Sequence, residues 1–271
     1  MINYFQSQRL AEIAGVSPEI IEKDYFIELL MCYIAKDSKF RENLIFRGGT
    51  ALRKIYFSDY RFSEDLDFLV EHTENLEDYG EKMGKIIEKI NLEFPYNLSK
   101  RFESESDRLQ LFISYDIIPE IRAVKELKID VLKDSYIPPT LNKRILFAYE
   151  AFKGEKAELR IYTLESVAVD KICRILDVDN EPRDLYDLWY LLRSDLDTEK
   201  IKKGFNKKIG YDIYYPNLLS AIKNEDYRRN WQIRLTKQIK DLPHYEFVLG
   251  ELEGLIEKKL IGSTHQEEKW E

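Results

Sequence analysis

The stretch that most constrains this chain lies between residues 44 and 70. Leu44-Ile45-Phe46 is a short apolar run, and one residue later comes Gly48-Gly49-Thr50. Residues 51–56 then read as a short helix. Residues 66–70 read as a strand that opens on Asp65 and Asp67. Further extended segments are expected at 108–115, 124–131 and 145–152, the second marked by alternation of Ile129 and Val131 with Lys128, Asp130 and Leu132. The order strand, glycine turn, helix, strand, then more strands, predicts a mixed α/β fold.

The same stretch carries the most chemistry. Residues two apart on a strand share a face, so Asp65 and Asp67 project side by side. Neighbouring carboxylates raise each other's pKa unless a cation sits between them. Mg²⁺ is commonly held by one or two carboxylates together with substrate phosphates. The glycine pair lets a backbone approach a phosphate closely, a helix N-terminus adds N–H donors, and Thr50 adds a hydroxyl. Taken singly, a Gly-Gly pair is often a turn and an Asp-x-Asp often a solvated strand edge. Their order and placement point to a phosphate and metal site.

Outside this stretch the texture is helical. Ser17-Pro18 supplies a cap and a first helical proline, and residues 19–35 place Ile20, Ile21, Ile27, Leu30 and Met31 near one face. The charges of Glu22-Lys23-Asp24-Tyr25 read as the solvated face of that helix. Residues 75–92 form a charged amphipathic helix. Thr163 caps a helix over 164–176, and Pro182 precedes another over 183–192. Most of the chain from there to about residue 259 is helical, with breaks near Tyr215-Pro216 and Leu242-Pro243, and the polar tail 262–271 is expected to fray. A boundary near residue 155 separates an α/β half, 1–155, from a helical half, 156–271.

Composition removes several classes. The most apolar run, about 29–35, is far shorter than the roughly 20 residues of a bilayer span. The start, MINYFQSQ, lacks the basic and apolar regions of an export signal. Two cysteines, Cys32 and Cys173, outside any C-x-x-C motif, support neither a disulfide framework nor a zinc site, and the reducing cytoplasm is the expected location. His72, His244 and His265 are too dispersed in sequence to suggest a metal site. The net charge of −8 disfavours coating of nucleic acid by bulk charge. That sum hides a contrast. Residues 200–240 hold eleven Lys/Arg against three Asp/Glu, a balance of +8, which leaves −16 elsewhere. The segment also holds Phe205, Tyr211, Tyr214, Tyr215, Tyr227 and Trp231. Basic side chains track phosphates and aromatics stack on unpaired bases, although buried aromatics under an exposed lysine face give the same pattern. Lys202, Lys203, Lys207, Lys208, Arg228, Arg229 and Arg234 are the RNA-contact candidates.

Several motifs in order resemble one family. Gly48-Gly49-Thr50-Ala51-Leu52, then Arg61-Phe62-Ser63-Glu64-Asp65-Leu66-Asp67-Phe68, are similar to the AbiEii-type nucleotidyltransferase toxins of abortive-infection and toxin–antitoxin systems, within the DNA polymerase β-like superfamily. Glu22-Lys23-Asp24-Tyr25 resembles the family's N-terminal helix. Residues 164–174 resemble its lysine-bearing helix, and Arg183-Asp184-Leu185-Tyr186-Asp187-Leu188 its Arg-Asp-x-x-Asp-Leu motif. The likeness spans about residues 20–195. Gly-Gly-Thr in place of the superfamily's usual Gly-Ser, and the longer gap to Asp-x-Asp, fit the toxins better than polymerases.

The resemblance implies a polymerase β-like core with a mixed sheet, followed by a mainly helical half that contributes Lys171 and Asp187. By the same likeness, Gly48, Gly49 and Thr50 would seat nucleotide phosphates, and Ser63 would contact phosphates or metal. Asp65 and Asp67 would hold Mg²⁺, with two ions expected, and Lys171 would contact the triphosphate. Asp187 would support Lys171 or the acceptor, whereas a first-turn dipole interaction explains Asp184 without function. Asp130 lies on a later strand where the superfamily's third carboxylate, a further metal ligand that activates the attacking hydroxyl, is found; it could equally be a strand-edge charge. The implied activity is transfer of a nucleoside monophosphate from an NTP to RNA, in particular the tRNA 3′ end, stopping translation and growth in phage defence. An antitoxin encoded nearby is implied as partner. The alternatives are nucleotidylation or phosphorylation of a protein or small molecule, and a non-catalytic nucleotide-binding interaction protein.

Overall fold

A computed structural model describes residues 1–177 and 180–262. The tail expected to fray lies, beyond Gly262, outside the described residues, as does His265. The chain divides into two compact units, residues 1–162 with 238–240, and residues 163–237 with 241 onward.

The first unit begins with α1 (Tyr4–Ala14), α2 (Pro18–Lys36) and α3 (Ser38–Asn43), then β1 (Ile45–Arg47) and α4 (Gly48–Ala51). The helix continues past α4 as a wider π turn over Leu52–Tyr56. After β2 (Asp65–Glu71) come α5 (Leu76–Glu93), β3 (Ser99–Ser104), β4 (Arg108–Ser114), β5 (Glu126–Asp134), β6 (Thr140–Arg144) and β7 (Glu158–Tyr162). The seven strands form one mixed sheet in the order β3-β4-β5-β2-β1-β7-β6. β2 runs parallel to β5 and antiparallel to β1, and β1 runs parallel to β7.

The central strands are apolar because helices cover them. Phe46, Leu66, Phe68, Ile129 and Ile161 are all buried. Both edges are blunted by charge, as sheet edges usually are. β3 reads SKRFES and is exposed throughout, and β6 reads TLNKR. Asn75 caps α5 by accepting from Glu77 N at 3.2 Å, and the apolar face of α5 packs on β3 and β4.

Two expectations change here. Residues 145–152 are not a strand. They form a loop in which Ala148 N and Tyr149 N donate to the buried carboxylate of Glu28, and the paired strands lie on either side of it, at β6 and β7. The α/β unit accordingly closes at Tyr162 and not near residue 155, because β7 completes the sheet beside β1.

The second unit is helical: α6 (Leu164–Leu176), α7 (Pro182–Arg193), α8 (Thr198–Ile209), α9 (Tyr215–Ala221), α10 (Glu225–Leu235) and α11 (Tyr245–Leu255). Thr163 Oγ1 caps α6 by accepting from Ser166 N at 3.2 Å. Pro182 is inside α7, at its first turn, where its missing N–H costs nothing. α6 packs on α7, α8 and α9, and α7 packs on α10 and α11. Trp231 is 1% exposed, and its indole N–H reaches Pro243 O at 2.9 Å. Burial of such a ring stabilises the unit by about 1.5–3 kcal/mol. No helix among the described residues is long and apolar enough to cross a membrane.

Candidate active site

β1 ends at Arg47, and the chain turns at Gly48 with φ of +79°. A side chain at Gly48 would place Cβ 2.5 Å from Asp67 Oδ2, so any other residue would strain the left-handed backbone and push the carboxylate aside. At Gly49 a Cβ would lie 2.5 Å from Arg61 Nη2 and 3.2 Å from Ser63 Oγ. Two consecutive glycines therefore bring bare backbone up to a carboxylate, a guanidinium and a hydroxyl. Thr50 is 1% exposed, and its hydroxyl donates to Asp65 O. That bond pins the start of the helix to the start of β2. The Thr50 side chain thus supports the turn.

Strand register sets the carboxylates. Arg47 pairs with Asp67 across β1–β2, Asp67 with Asp130 across β2–β5, and Asp130 with Gln110 across β4–β5. Paired residues share a face, so Arg47, Asp67, Asp130 and Gln110 form one row. Asp65 pairs with Lys128 in the neighbouring row. Asp65 and Asp67 are half-buried. Asp130 is 8% exposed and takes Lys128 Nζ at 2.8 Å, Arg108 Nη2 at 2.9 Å and Gln110 Nε2 at 2.9 Å. Burial pushes its pKa up, but the hydrogen bonds of Lys128, Gln110 and Arg108 and the charge of Lys128 outweigh this and hold it below the ordinary carboxylate value. Among the described residues no group of three or more His, Cys, Asp or Glu side chains is gathered as a metal cage. Asp65 and Asp67 fit the sparser requirement of a Mg²⁺ ion that shares its shell with phosphates.

The Arg61–Glu64 loop is held by Gln238, a residue that sequence reasoning missed. Gln238 is 4% exposed. Its carbonyl oxygens accept from Arg61 Nη1 at 3.0 Å and from Phe62 N at 3.0 Å, and its amide donates to Glu64 Oε1 at 2.9 Å. Nothing in the sequence near position 238 signals this, since the contacts span more than 170 residues of chain.

Behind the glycine turn the expected solvated face of α2 is buried. Glu22 is 0% and Asp24 is 2% exposed. Asp24 takes Lys54 Nζ at 2.8 Å, Arg53 Nε at 3.3 Å and the Tyr149 hydroxyl at 3.1 Å. Lys54 also reaches Glu28 at 2.7 Å. Glu22 accepts from Ile117 N, Ile118 N and Lys125 Nζ at 2.7–3.0 Å. Burial nonetheless pushes the Glu22 carboxyl up. These charges face polar partners from distant segments. Only Lys23 keeps the outward position expected of the whole cluster, 3.6 Å from Glu64.

In the second unit, α6 and α7 assemble a separate polar cluster. Lys171 Nζ lies 2.6 Å from Asp184 Oδ1 and 2.7 Å from Asp187 Oδ2, and Arg174 Nε is 2.7 Å from Asp184 Oδ2. Asp184 and Asp187 are 3% and 0% exposed. Burial pushes the Asp184 pKa up, but the charges of Lys171 and Arg174 outweigh it and hold it below the usual range. Asp184 is therefore no surface dipole partner. Both carboxylates hold Lys171, the pair sharing a face three residues apart.

The basic segment divides. Phe205, Tyr227 and Trp231 are core residues, while Tyr211 and Tyr214 are exposed. Lys202 pairs with Glu199 at 2.8 Å, Lys208 with Asp170, Arg228 with Glu246 at 3.4 Å, Arg229 with Asp226 at 3.7 Å and Arg234 with Glu181 at 3.9 Å. The pairs of Lys202, Arg228, Arg229 and Arg234 are open to solvent and contribute about 0–1 kcal/mol, which leaves those cations available to a polyanion, whereas the Lys208–Asp170 pair is part-buried. Lys202, Lys203 and Lys207 line one surface cavity of about 520 Å³ with Asn206 and Tyr215.

Comparison with known proteins bears on the family and the fold of the chain. A family model described as nucleotidyl transferase AbiEii toxin, type IV TA system, matches residues 29–251. Among solved structures, the chain is similar to the nucleotidyltransferase toxin MenT4 from Mycobacterium tuberculosis H37Rv. The TM-score is 0.69 at 16% identity, over 93% of this chain and 89% of that one, a likeness of fold. No curated protein matches the chain.

Proposed function

The chain belongs to the AbiEii family of nucleotidyltransferase toxins, and we propose that it moves a nucleoside monophosphate from Mg·NTP onto RNA, at the tRNA 3′ end. The observation that carries this reading is the glycine turn. Gly48 and Gly49 bring bare backbone up to the Asp67 carboxylate, the Arg61 guanidinium and the Ser63 hydroxyl, where a side chain would collide, and so join the turn to the Asp65 and Asp67 strand. Asp65 and Asp67 would hold Mg²⁺, which when bound neutralises triphosphate charge and stabilises the charge of the leaving group. Backbone at Gly48–Thr50 and the Ser63 hydroxyl would seat the phosphates, and Asp130 is the third carboxylate. Lys171 is assigned to the triphosphate, with Asp187 and Asp184 fixing its ammonium. The acceptor hydroxyl oxygen bonds to the α-phosphorus while the α–β bridging oxygen departs with pyrophosphate.

Lys202, Lys203, Lys207, Lys208, Arg228, Arg229 and Arg234 would follow the RNA backbone. Blocked tRNA ends would halt translation in the cytoplasm, and a cognate antitoxin would oppose the toxin. The test uses labelled NTPs, Mg²⁺ and total tRNA. Label should appear in tRNA with the native protein and disappear with Asp65→Ala, which should also relieve growth arrest. Transfer that survives Asp65→Ala overturns the metal assignment, and label in protein or small molecules overturns the RNA assignment.

A further inference from the structure

Residues 238–240 belong to the first unit, although the chain before and after them belongs to the second. This three-residue strap is anchored at both ends. Lys240 Nζ donates to Ile13 O at 3.1 Å, and its aliphatic stem fills the space where a Gly15 side chain would be. At the other end, buried Gln238 makes three hydrogen bonds to one loop. Its Oε1 accepts from Arg61 Nη1 at 3.0 Å, its backbone carbonyl accepts from Phe62 N at 3.0 Å, and its Nε2 donates to Glu64 Oε1 at 2.9 Å.

Those bonds fall on both sides of Ser63. The side chains that crowd Gly49 belong to the same loop, Arg61 with Nη2 2.5 Å and Ser63 with Oγ 3.2 Å from where a Cβ would stand. Arg61 thus has one guanidinium nitrogen on Gln238 and the other against Gly49. Lys23 holds the second oxygen of Glu64 at 3.6 Å. A buried amide satisfied at both ends adds little net stability, since each bond replaces one to water, but it fixes a single geometry. Groups that meet a ligand need such support to stay within about 0.5 Å of their working positions.

We propose that Gln238 is a positioning residue of the nucleotide site. Its side-chain amide, acting through Arg61 and Glu64, holds the Ser63 hydroxyl against the Gly49 backbone, in place for the triphosphate. Gln238 itself does not touch the nucleotide. The inference rests on the triphosphate lying on the Gly48–Thr50 turn. Ser63 would contact phosphates in the bound NTP and in the transition state alike. Loss of its position therefore weakens NTP binding and raises KM, and leaves kcat at saturation unchanged.

The test is equilibrium binding of Mg·tripolyphosphate and of a non-hydrolysable Mg·NTP analogue, beside steady-state transfer to tRNA. Gln238→Glu keeps an acceptor for Arg61 but sets a carboxylate against Glu64. Affinity for both probes should fall about tenfold, the scale of one hydrogen bond to a charged group. Adding Glu64→Gln remakes the bond with donor and acceptor exchanged, and affinity should return to within about twofold of native. In transfer, Gln238→Glu should raise KM for NTP with kcat unchanged. Native affinity in Gln238→Glu, a loss that Glu64→Gln does not restore, or a fall in kcat with KM unchanged overturns the positioning role. If Gln238→Glu does not fold, Gln238→Met decides on the same binding readout. It removes both side-chain bonds at similar volume and keeps the backbone bond to Phe62, so native affinity there overturns the role and a tenfold loss supports it. A native protein that binds neither probe overturns the nucleotide reading itself, whereas native binding that no variant weakens overturns only this inference.

Discussion

Lys54 and Lys171 are both buried and both bracketed by two carboxylates, yet their surroundings differ. Around Lys54 the carboxylates of Asp24 and Glu28 are saturated from inside the first unit by Arg53, the Tyr149 hydroxyl and the amides of Ala148 and Tyr149. The network knots α2, the π turn after Gly48–Thr50 and the 148–149 loop. Around Lys171 the carboxylates of Asp184 and Asp187 come from consecutive turns of one helix. The second cation, Arg174, has 46% of its side chain in solvent. Each network contains a lysine and an arginine set against two carboxylates. The first is sealed and can only support the glycine turn. The second opens to water through Arg174, which suits the triphosphate contact proposed for Lys171.

The largest expected effect breaks the sealed network. Lys54→Met leaves buried Glu28 with backbone amides but no cation and Asp24 with Arg53 as its cation, and removal of one partner of a buried pair costs about 3–5 kcal/mol. Against a total stability of about 5–15 kcal/mol for a domain, that loss is a large share. Urea unfolding of the variant should show it. A loss below about 1 kcal/mol, the range of an exposed pair, would mean that water reaches Lys54 and that the two networks do not differ.

Next, Lys171→Met should reverse the balance of effects. Arg174 stays on Asp184 as Arg53 stays on Asp24, but 46% of the Arg174 side chain lies in solvent against 12% of Arg53, so water can reach the gap and the stability loss should be smaller than for Lys54→Met. Nucleotidyl transfer should fall by about 10²–10³, the scale of deleting one preorganised charge-stabilising donor. Matched losses of stability and activity in the two variants would erase the distinction.

Acid titration sharpens the comparison by sign. The Asp184 carboxyl is held below its ordinary value, with burial opposing and the charges of Lys171 and Arg174 prevailing. Its stabilisation is therefore complete above the unfolded carboxylate pKa, about 3.9, and is lost as pH falls toward the lower folded value. Glu28 is shifted the other way, chiefly by burial. Protonation favours its folded form, so its contribution to stability rises as pH falls through its raised folded value toward the unfolded one. Denaturant midpoints from pH 7 to 3 should show the native protein's margin over Asp184→Asn shrinking in acid, and its margin relative to Glu28→Gln growing. Parallel curves would contradict the assignment of opposite environments.

The contrast also explains what could be read from the sequence. The Gly48–Thr50 turn and the Asp65/Asp67 pair were legible because strand alternation and glycine geometry are local. The cap at Thr163 was legible for the same reason. Glu22 and Asp24 were misread because periodicity separates apolar from polar faces but does not say whether a polar face meets water or buried partners such as Lys125 and Lys54. Residues 145–152 misled for a related reason. Ile145, Tyr149 and Phe152 are buried, but the amides of Ala148 and Tyr149 serve Glu28 and not a neighbouring strand. Gln238 lay beyond any local rule.

The smallest effect concerns the surface of the second unit. Arg228 and Arg229 are exposed and held only by rim pairs to Glu246 and Asp226, so Arg228→Glu with Arg229→Glu should change stability by no more than about 1 kcal/mol. If they follow an RNA backbone, the double reversal should weaken tRNA binding and reduce the salt slope by about one for each phosphate no longer neutralised. It should leave nucleotide affinity untouched, because neither residue lines the glycine turn. A weakened affinity with an unchanged salt slope would trace the defect to altered folding of α10 and not to weaker neutralisation of the RNA backbone. An unchanged affinity would move the RNA path to the lysines of α8, where Lys203→Glu with Lys207→Glu is the matching experiment.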